Sequence, residues 1–133
     1  MSQRNITQLK IKNDGSLHVE WIEESSNYSG EDTYKVDFVE APRPEFNEAI
    51  RNLVSHITNL FEIDTTNADC SLVKVDYSHQ KEMAKYELQR KVKYIDEPLT
   101  IKTGWSNDVD LETIEALLNE VDKYVNGDRK SVV

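Results

Sequence analysis

Glycine is scarce in this sequence, with four in 133 residues. None stands in a G-x-x-x-x-G-K-[ST] or G-x-G-x-x-G pattern, so no backbone cradle for phosphate is expected. Cysteine is scarcer still. Cys70 is the only one, which excludes an internal disulfide and a cysteine-built zinc site. The three histidines, His18, His56 and His79, fall in separate segments without H-E-x-x-H spacing. No dedicated metal site is expected, and no cofactor is implied. No apolar run approaches the roughly 18 residues of a membrane helix, and residues 1–10 lack the apolar centre of a signal peptide. Positive charge is in deficit: 16 Lys and Arg against 25 Asp and Glu, a net charge of −9. General DNA binding, which needs a basic footprint, is not expected either. These absences describe a soluble cytoplasmic protein of one domain, residues 1–127, with a flexible tail at 128–133.

What is present is periodicity. Thr7, Leu9 and Ile11 alternate, Asn13-Asp14-Gly15 follows, and Leu17, Val19 and Trp21 alternate again. Asp-Gly supplies the positive φ angles of a tight turn, so this reads as a hairpin. Residues 23–32 are a polar loop, and Tyr34, Val36 and Phe38 form the inward side of a third strand. Trp21, Tyr34 and Phe38 are therefore expected in the core. Ala41-Pro42-Arg43-Pro44 ends the sheet run, and Pro44 suits the first turn of a helix. Phe46, Ala49, Ile50, Leu53, Val54, Ile57, Leu60 and Phe61 step by three and four, which predicts one helical stripe ending near Glu62.

The second half repeats the pattern. Val73, Val75 and Tyr77 alternate in a fourth strand, and residues 78–82 turn. Ala84, Tyr86, Leu88, Arg90, Val92 and Tyr94 share one side of a fifth strand, and Leu99, Ile101 and Thr103 begin a sixth. Asp108 or Asp110 can cap a last helix whose stripe is Leu111, Ile114, Leu117, Leu118, Val121, Tyr124 and Val125, with Gly127 as its left-handed stop. The fold class is α+β, in the order βββα-βββα, with two amphipathic helices on an antiparallel sheet of about six strands. Duplication and convergence both account for the likeness of the halves. If both helices share one side, the other is left open and carries His18, Glu20, Lys35, Asp37, Lys74 and Asp76.

Asp108, Asp110 and Glu112 favour a helix N-terminus better than a cation site, and Cys70 reads as an idle thiol. The stretch 81–102 departs most from the rest. Lys81, Lys85, Arg90, Lys91, Lys93 and Lys102 face only Glu82, Glu87, Asp96 and Glu97 there, and Tyr86, Tyr94 and Trp105 lie among or beside them. Cations and flat rings suit a small anionic, base-containing ligand. The candidate binding residues are Lys85, Tyr86, Arg90, Lys91, Lys93, Tyr94 and Trp105. Arg90 stands out, because its parity places a guanidinium among core residues, where it needs a carboxylate, a phosphate or an irregularity of the chain. A bulge that turns Arg90 outward, or a lysine-guarded edge strand, would explain the same residues without a ligand.

Ala41-Pro42-Arg43-Pro44-Glu45-Phe46, the Lys12-Asn13-Asp14-Gly15 hairpin and the closing Tyr124-Val125-Asn126-Gly127-Asp128-Arg129 give the chain a family likeness. It resembles small early proteins of tailed phages and prophages of Gram-positive bacteria. The resemblance implies the cytoplasm of an infected bacterial host and a part in recombination or host takeover. Three readings follow. The first is a non-catalytic sponge for a small nucleotide signal of antiphage immunity, its pocket between protomers of a homo-oligomer. The second is an acidic nucleic-acid mimic that inhibits a host defence protein, or an accessory factor of phage DNA recombination. The third is a hydrolase of the same signal, which would need a base and a nucleophile, or a metal, from dispersed residues.

Overall fold

Alternating apolar residues with short connections dictate antiparallel neighbours, and the computed structural model shows them; it describes residues 4–24, 30–66, 68–92 and 96–127. The elements are β1 (Asn5–Ile11), β2 (Leu17–Glu24), β3 (Glu31–Phe38), α1 (Pro44–Leu60), β4 (Ala68–Ser78), β5 (Met83–Val92), β6 (Leu99–Lys102) and α2 (Leu111–Val125). The fold is α+β, as the periodicity predicts. The six strands form one antiparallel sheet in the order β3-β2-β1-β4-β5-β6. Two meanders thus meet at a β1–β4 seam, and both helices cover the same side. Their apolar stripes join the sheet in one core that includes Leu9, Val19, Leu53, Ile57, Leu88, Leu117, Val121 and Tyr124. The expected tail at 128–133 and part of the expected 23–32 loop lie outside the described residues.

Three local features differ from the simple periodic expectation. The β1–β2 turn is a three-residue loop in which Lys12 donates to the Ser16 carbonyl at 2.9 Å and only Gly15 has positive φ, +88°. Asp14 instead accepts from the Ser16 amide and hydroxyl at 2.9 and 2.6 Å. In β1, pairing with β2 jumps from Ile6–Trp21 to Gln8–Glu20. Thr7 is the extra residue of a bulge, and Ile6 takes the covered place that strict alternation gives to Thr7. In β4, pairing with β5 jumps from Leu72–Leu88 to Lys74–Glu87, so Leu72 rather than Val73 is buried. β4 also starts at Ala68, before its apolar alternation, because β5 supplies backbone partners from Gln89 to Val92.

Trp21 and Phe38 are buried as expected, whereas Tyr34 stays 39% exposed and stacks on Trp21 at 5.4 Å. The stripe ends Leu60, Phe61 and Leu111 also remain exposed. At the start of α1, Pro44 occupies the first turn without a side-chain cap before it. At the start of α2, Asp110 caps by accepting from the Glu112 amide at 3.4 Å, while Asp108 bonds Ser106 instead.

The end of α1 is unusual. The Ile63 amide donates to the Thr58 carbonyl at 2.9 Å and the Glu62 amide to Asn59 at 3.4 Å. This is the Schellman closure, in which the residue after the cap must turn left-handed. Glycine is favoured there, yet Glu62 fills the place with φ +54°. Glu62→Gly is expected to raise unfolding stability by about 0.5–1 kcal/mol, because the left-handed turn then carries no Cβ clash. Urea denaturation checks it, and an unchanged or lower midpoint would refute the strain.

Candidate functional site

The open side of the sheet follows from strand parity. Asp37, His18, Lys10, Lys74, Glu87 and Lys102 are register partners in one row across all six strands. A second row runs Lys35, Glu20, Gln8, Asp76 and Lys85. Many of these charges are satisfied within the face. The His18 ring nitrogens lie 2.8 Å from Asp37 and 2.8 Å from Glu20. Lys12 reaches Asp37 at 3.0 Å, Gln8 donates to Asp76 at 2.7 Å, and Lys74 sits 3.5 Å from Asp76. The face is therefore largely a self-paired polar lattice. Among the described residues, no His, Cys, Asp and Glu group has metal-site geometry. Nor is any helix among them long and apolar enough to cross a membrane.

The candidate cations and rings of the sequence are divided between the two sides. Lys85 and Lys91 face the open side, opposite Asp76 and Asp69 in register. Tyr86 faces the helices and is 2% exposed, its hydroxyl unpartnered, so no base can stack on it in this conformation. Burial raises its phenol well above the usual tyrosine range. Arg90 also faces the helix side. Its Nε donates to the Asp64 carbonyl at 2.6 Å, and a terminal nitrogen lies 3.9 Å from the Asp64 carboxylate. Arg90 thus anchors the left-handed turn that ends α1. Neither ligand-free expectation for it holds: the bulge is in β4, not β5, and β5 is interior because β6 pairs along Glu87–Arg90. Lys93 and Tyr94 lie outside the described residues.

One pair of the set does come together. Lys85 Nζ lies 5.1 Å from the centroid of the Trp105 ring, which is 46% exposed. Trp105 follows β6, and its position is fixed by backbone: Ala84 and Ser106 exchange two hydrogen bonds of 2.9 Å, and Thr103 donates to the Tyr86 carbonyl at 2.9 Å. The indole borders a groove of about 570 Å³ at one end of the open face. Asn5, Thr7 and Ile22 line it from the sheet, Glu31 from the start of β3, Tyr77 and Ser78 from the end of β4, and His79 and Gln80 from the β4–β5 turn. His79 Nε2 is 2.6 Å from the Ile6 carbonyl, which can only accept; Nε2 is then the protonated nitrogen, and in the neutral ring Nδ1 is the acceptor.

Sequence reasoning misses the groove floor. Perfect alternation in β1 hides the Thr7 bulge, and His79 has no motif around it. The remaining candidates are quiet. Burial pushes the Cys70 thiol up, which disfavours a nucleophilic thiolate. His56 is exposed on α1. Comparison with known protein families, with curated proteins and with solved structures finds no match.

Arg90→Ala is expected to cost about 1–2 kcal/mol of stability by freeing the α1 turn, measured by denaturant melts. No loss would remove the anchoring role. Lys12 first, and then His18, holds the Asp37 carboxyl below its ordinary value of 3.8. A carboxyl depressed in the folded state contributes stability above its unfolded pKa and loses it as pH falls through the folded one. Thermal melts should therefore fall on acidification below about pH 4, and Asp37→Asn should flatten that fall. Equal acid sensitivity of both proteins would refute it.

Proposed function

We propose that this protein is a non-catalytic binding protein that sequesters a small nucleotide-like anion, a signal of antiphage immunity in the cytoplasm of an infected bacterium. The observation that carries the reading is the Lys85–Trp105 pair beside the groove. A base stacks on the indole, and the ammonium beside it meets a phosphate. Asn5 and Gln80 offer amides to base edges, and the Glu31 carboxylate suits ribose hydroxyls. The groove volume falls in the range of small-molecule sites. Of the candidate residues that the sequence offers, Lys85 and Trp105 belong to the proposed site. Arg90 and Tyr86 leave it for structural roles, and Lys91 is removed from it along β5.

A second reading is an acidic inhibitor that occupies the basic groove of a host defence protein. The net charge of −9 favours it. Such a complex would weaken steeply with salt, because its charges are exposed.

The test is a thermal-shift panel of cyclic dinucleotides, cyclic oligonucleotides, ADP-ribose derivatives and short DNA. A ligand at 100 times its dissociation constant stabilises the fold by about 2.7 kcal/mol. Trp105→Ala should weaken binding about 5- to 150-fold, since stacking on an aromatic contributes about 1–3 kcal/mol per base. Lys85→Ala should weaken it as well, and the nucleotide should be recovered intact. No response to any nucleotide, or unchanged affinity in Trp105→Ala, would overturn this site.

A further inference from the structure

A second groove lies on the helix side, away from Trp105. Its volume is about 460 Å³, and it runs along the flank of α1 where β1 ends and β4 begins. Ile11, Ile50, Val54 and Leu72 make an apolar floor, while Arg51 and Cys70 also line it. Ile50 and Val54 belong to the stripe of α1 but are only partly covered by the core. They are one helical turn apart and present a continuous apolar strip beside Arg51.

The corresponding flank of α2 provides a contrast. Glu115, Leu118, Asn119 and Asp122 repeat the spacing of Asn47, Ile50, Arg51 and Val54, and they border a smaller groove of about 310 Å³. There the cation is Arg4, already held by Asp122 at 3.2 Å and lying 3.4 Å from Glu23. In the α1 groove, Arg51 has no carboxylate partner among the described residues. An acidic protein thus keeps an uncompensated guanidinium beside an uncovered apolar strip.

The geometry points to a binding site for an aliphatic monocarboxylate, its chain on Ile50, Val54 and Leu72 and its carboxylate on Arg51. The charge fits because a guanidinium takes a carboxylate through two parallel hydrogen bonds. The length fits as well. The α1 lining runs from Asn47 to Thr58, eleven helical steps, about 16 Å at ~1.5 Å per residue. An extended chain of roughly eight to ten carbons, with C–C bonds of about 1.5 Å, lies within that length beside Ile50 and Val54. Apolar contact supplies the affinity, and Arg51 selects the anion over the neutral alcohol.

Cys70 gives the site its own reporter, independent of any nucleotide. The full-length protein is titrated with decanoate while the rate of Cys70 alkylation by iodoacetamide is followed. Decanoate should slow alkylation in a saturable way, and decanol should do so at least tenfold more weakly. Arg51→Gln should retain the unliganded melting temperature, since Arg51 is exposed, and should raise the decanoate concentration for half-protection about tenfold or more. Absence of saturable protection overturns the site. Equal protection by decanol, or an unaltered titration in Arg51→Gln, overturns the assignment of the carboxylate to Arg51.

Discussion

The β1–β4 pairing is the constraint on which the rest of the structure depends. It joins two meanders that are otherwise local in sequence, through the register Gln8–Asp76, Leu9–Val75 and Lys10–Lys74. Its partners lie more than sixty residues apart, so the loop-closure entropy of the seam is offset by packing made only when both halves are present. That packing is the shared core: α1 lies against α2, and Tyr124 of α2 contacts Phe38 from β3 and Phe46 from α1 at 5.2 and 5.6 Å. The Tyr124 hydroxyl then donates to the Glu40 carbonyl at 2.5 Å, closing the second half onto the first. Without the seam, each meander would leave its apolar side under a single helix.

The bulge in β1 shapes the candidate groove. Both strands of the seam carry a bulge, at Thr7 in β1 and at Val73 in β4. A bulge adds a residue to one strand, increases the local twist and re-aims its neighbours. Thr7 leaves the ladder, donates from its hydroxyl to the Glu20 carbonyl at 3.2 Å, and becomes part of the groove. The groove thus occurs where regular pairing is interrupted, while the regular middle of the face holds charges that pair with one another. A ligand at the groove need not break the His18–Asp37–Glu20 cluster.

Strand parity also explains why a run of cations need not be a binding patch. Successive side chains on β5 point to opposite sides, so Lys85 and Tyr86, adjacent in sequence, are separated by the sheet itself. Arg90 resolves its place among core residues by reaching the Asp64 carbonyl in the loop after α1. A guanidinium beside a core is tolerated when its donors meet acceptors, and the loop that follows α1 supplies one in the Asp64 carbonyl.

The sequence alone determined the order and type of the eight elements, because period two and period 3.6 are local properties of Leu17–Val19–Trp21 or Phe46–Ala49–Leu53. It determined the Pro44 start of α1, the Gly127 stop of α2 and the open-face residues from His18 to Asp76, since capping and parity are also local. Tertiary structure decided the rest. The Thr7 and Val73 bulges depend on what lies across the ladder, not on the strand that carries them. The early start of β4 depends on β5. The acceptor for Arg90 lies 26 residues away, and the Trp105 groove collects residues from Asn5 to Trp105. Alternation tells which side of a strand a residue occupies; only the folded sheet decides what stands beside it.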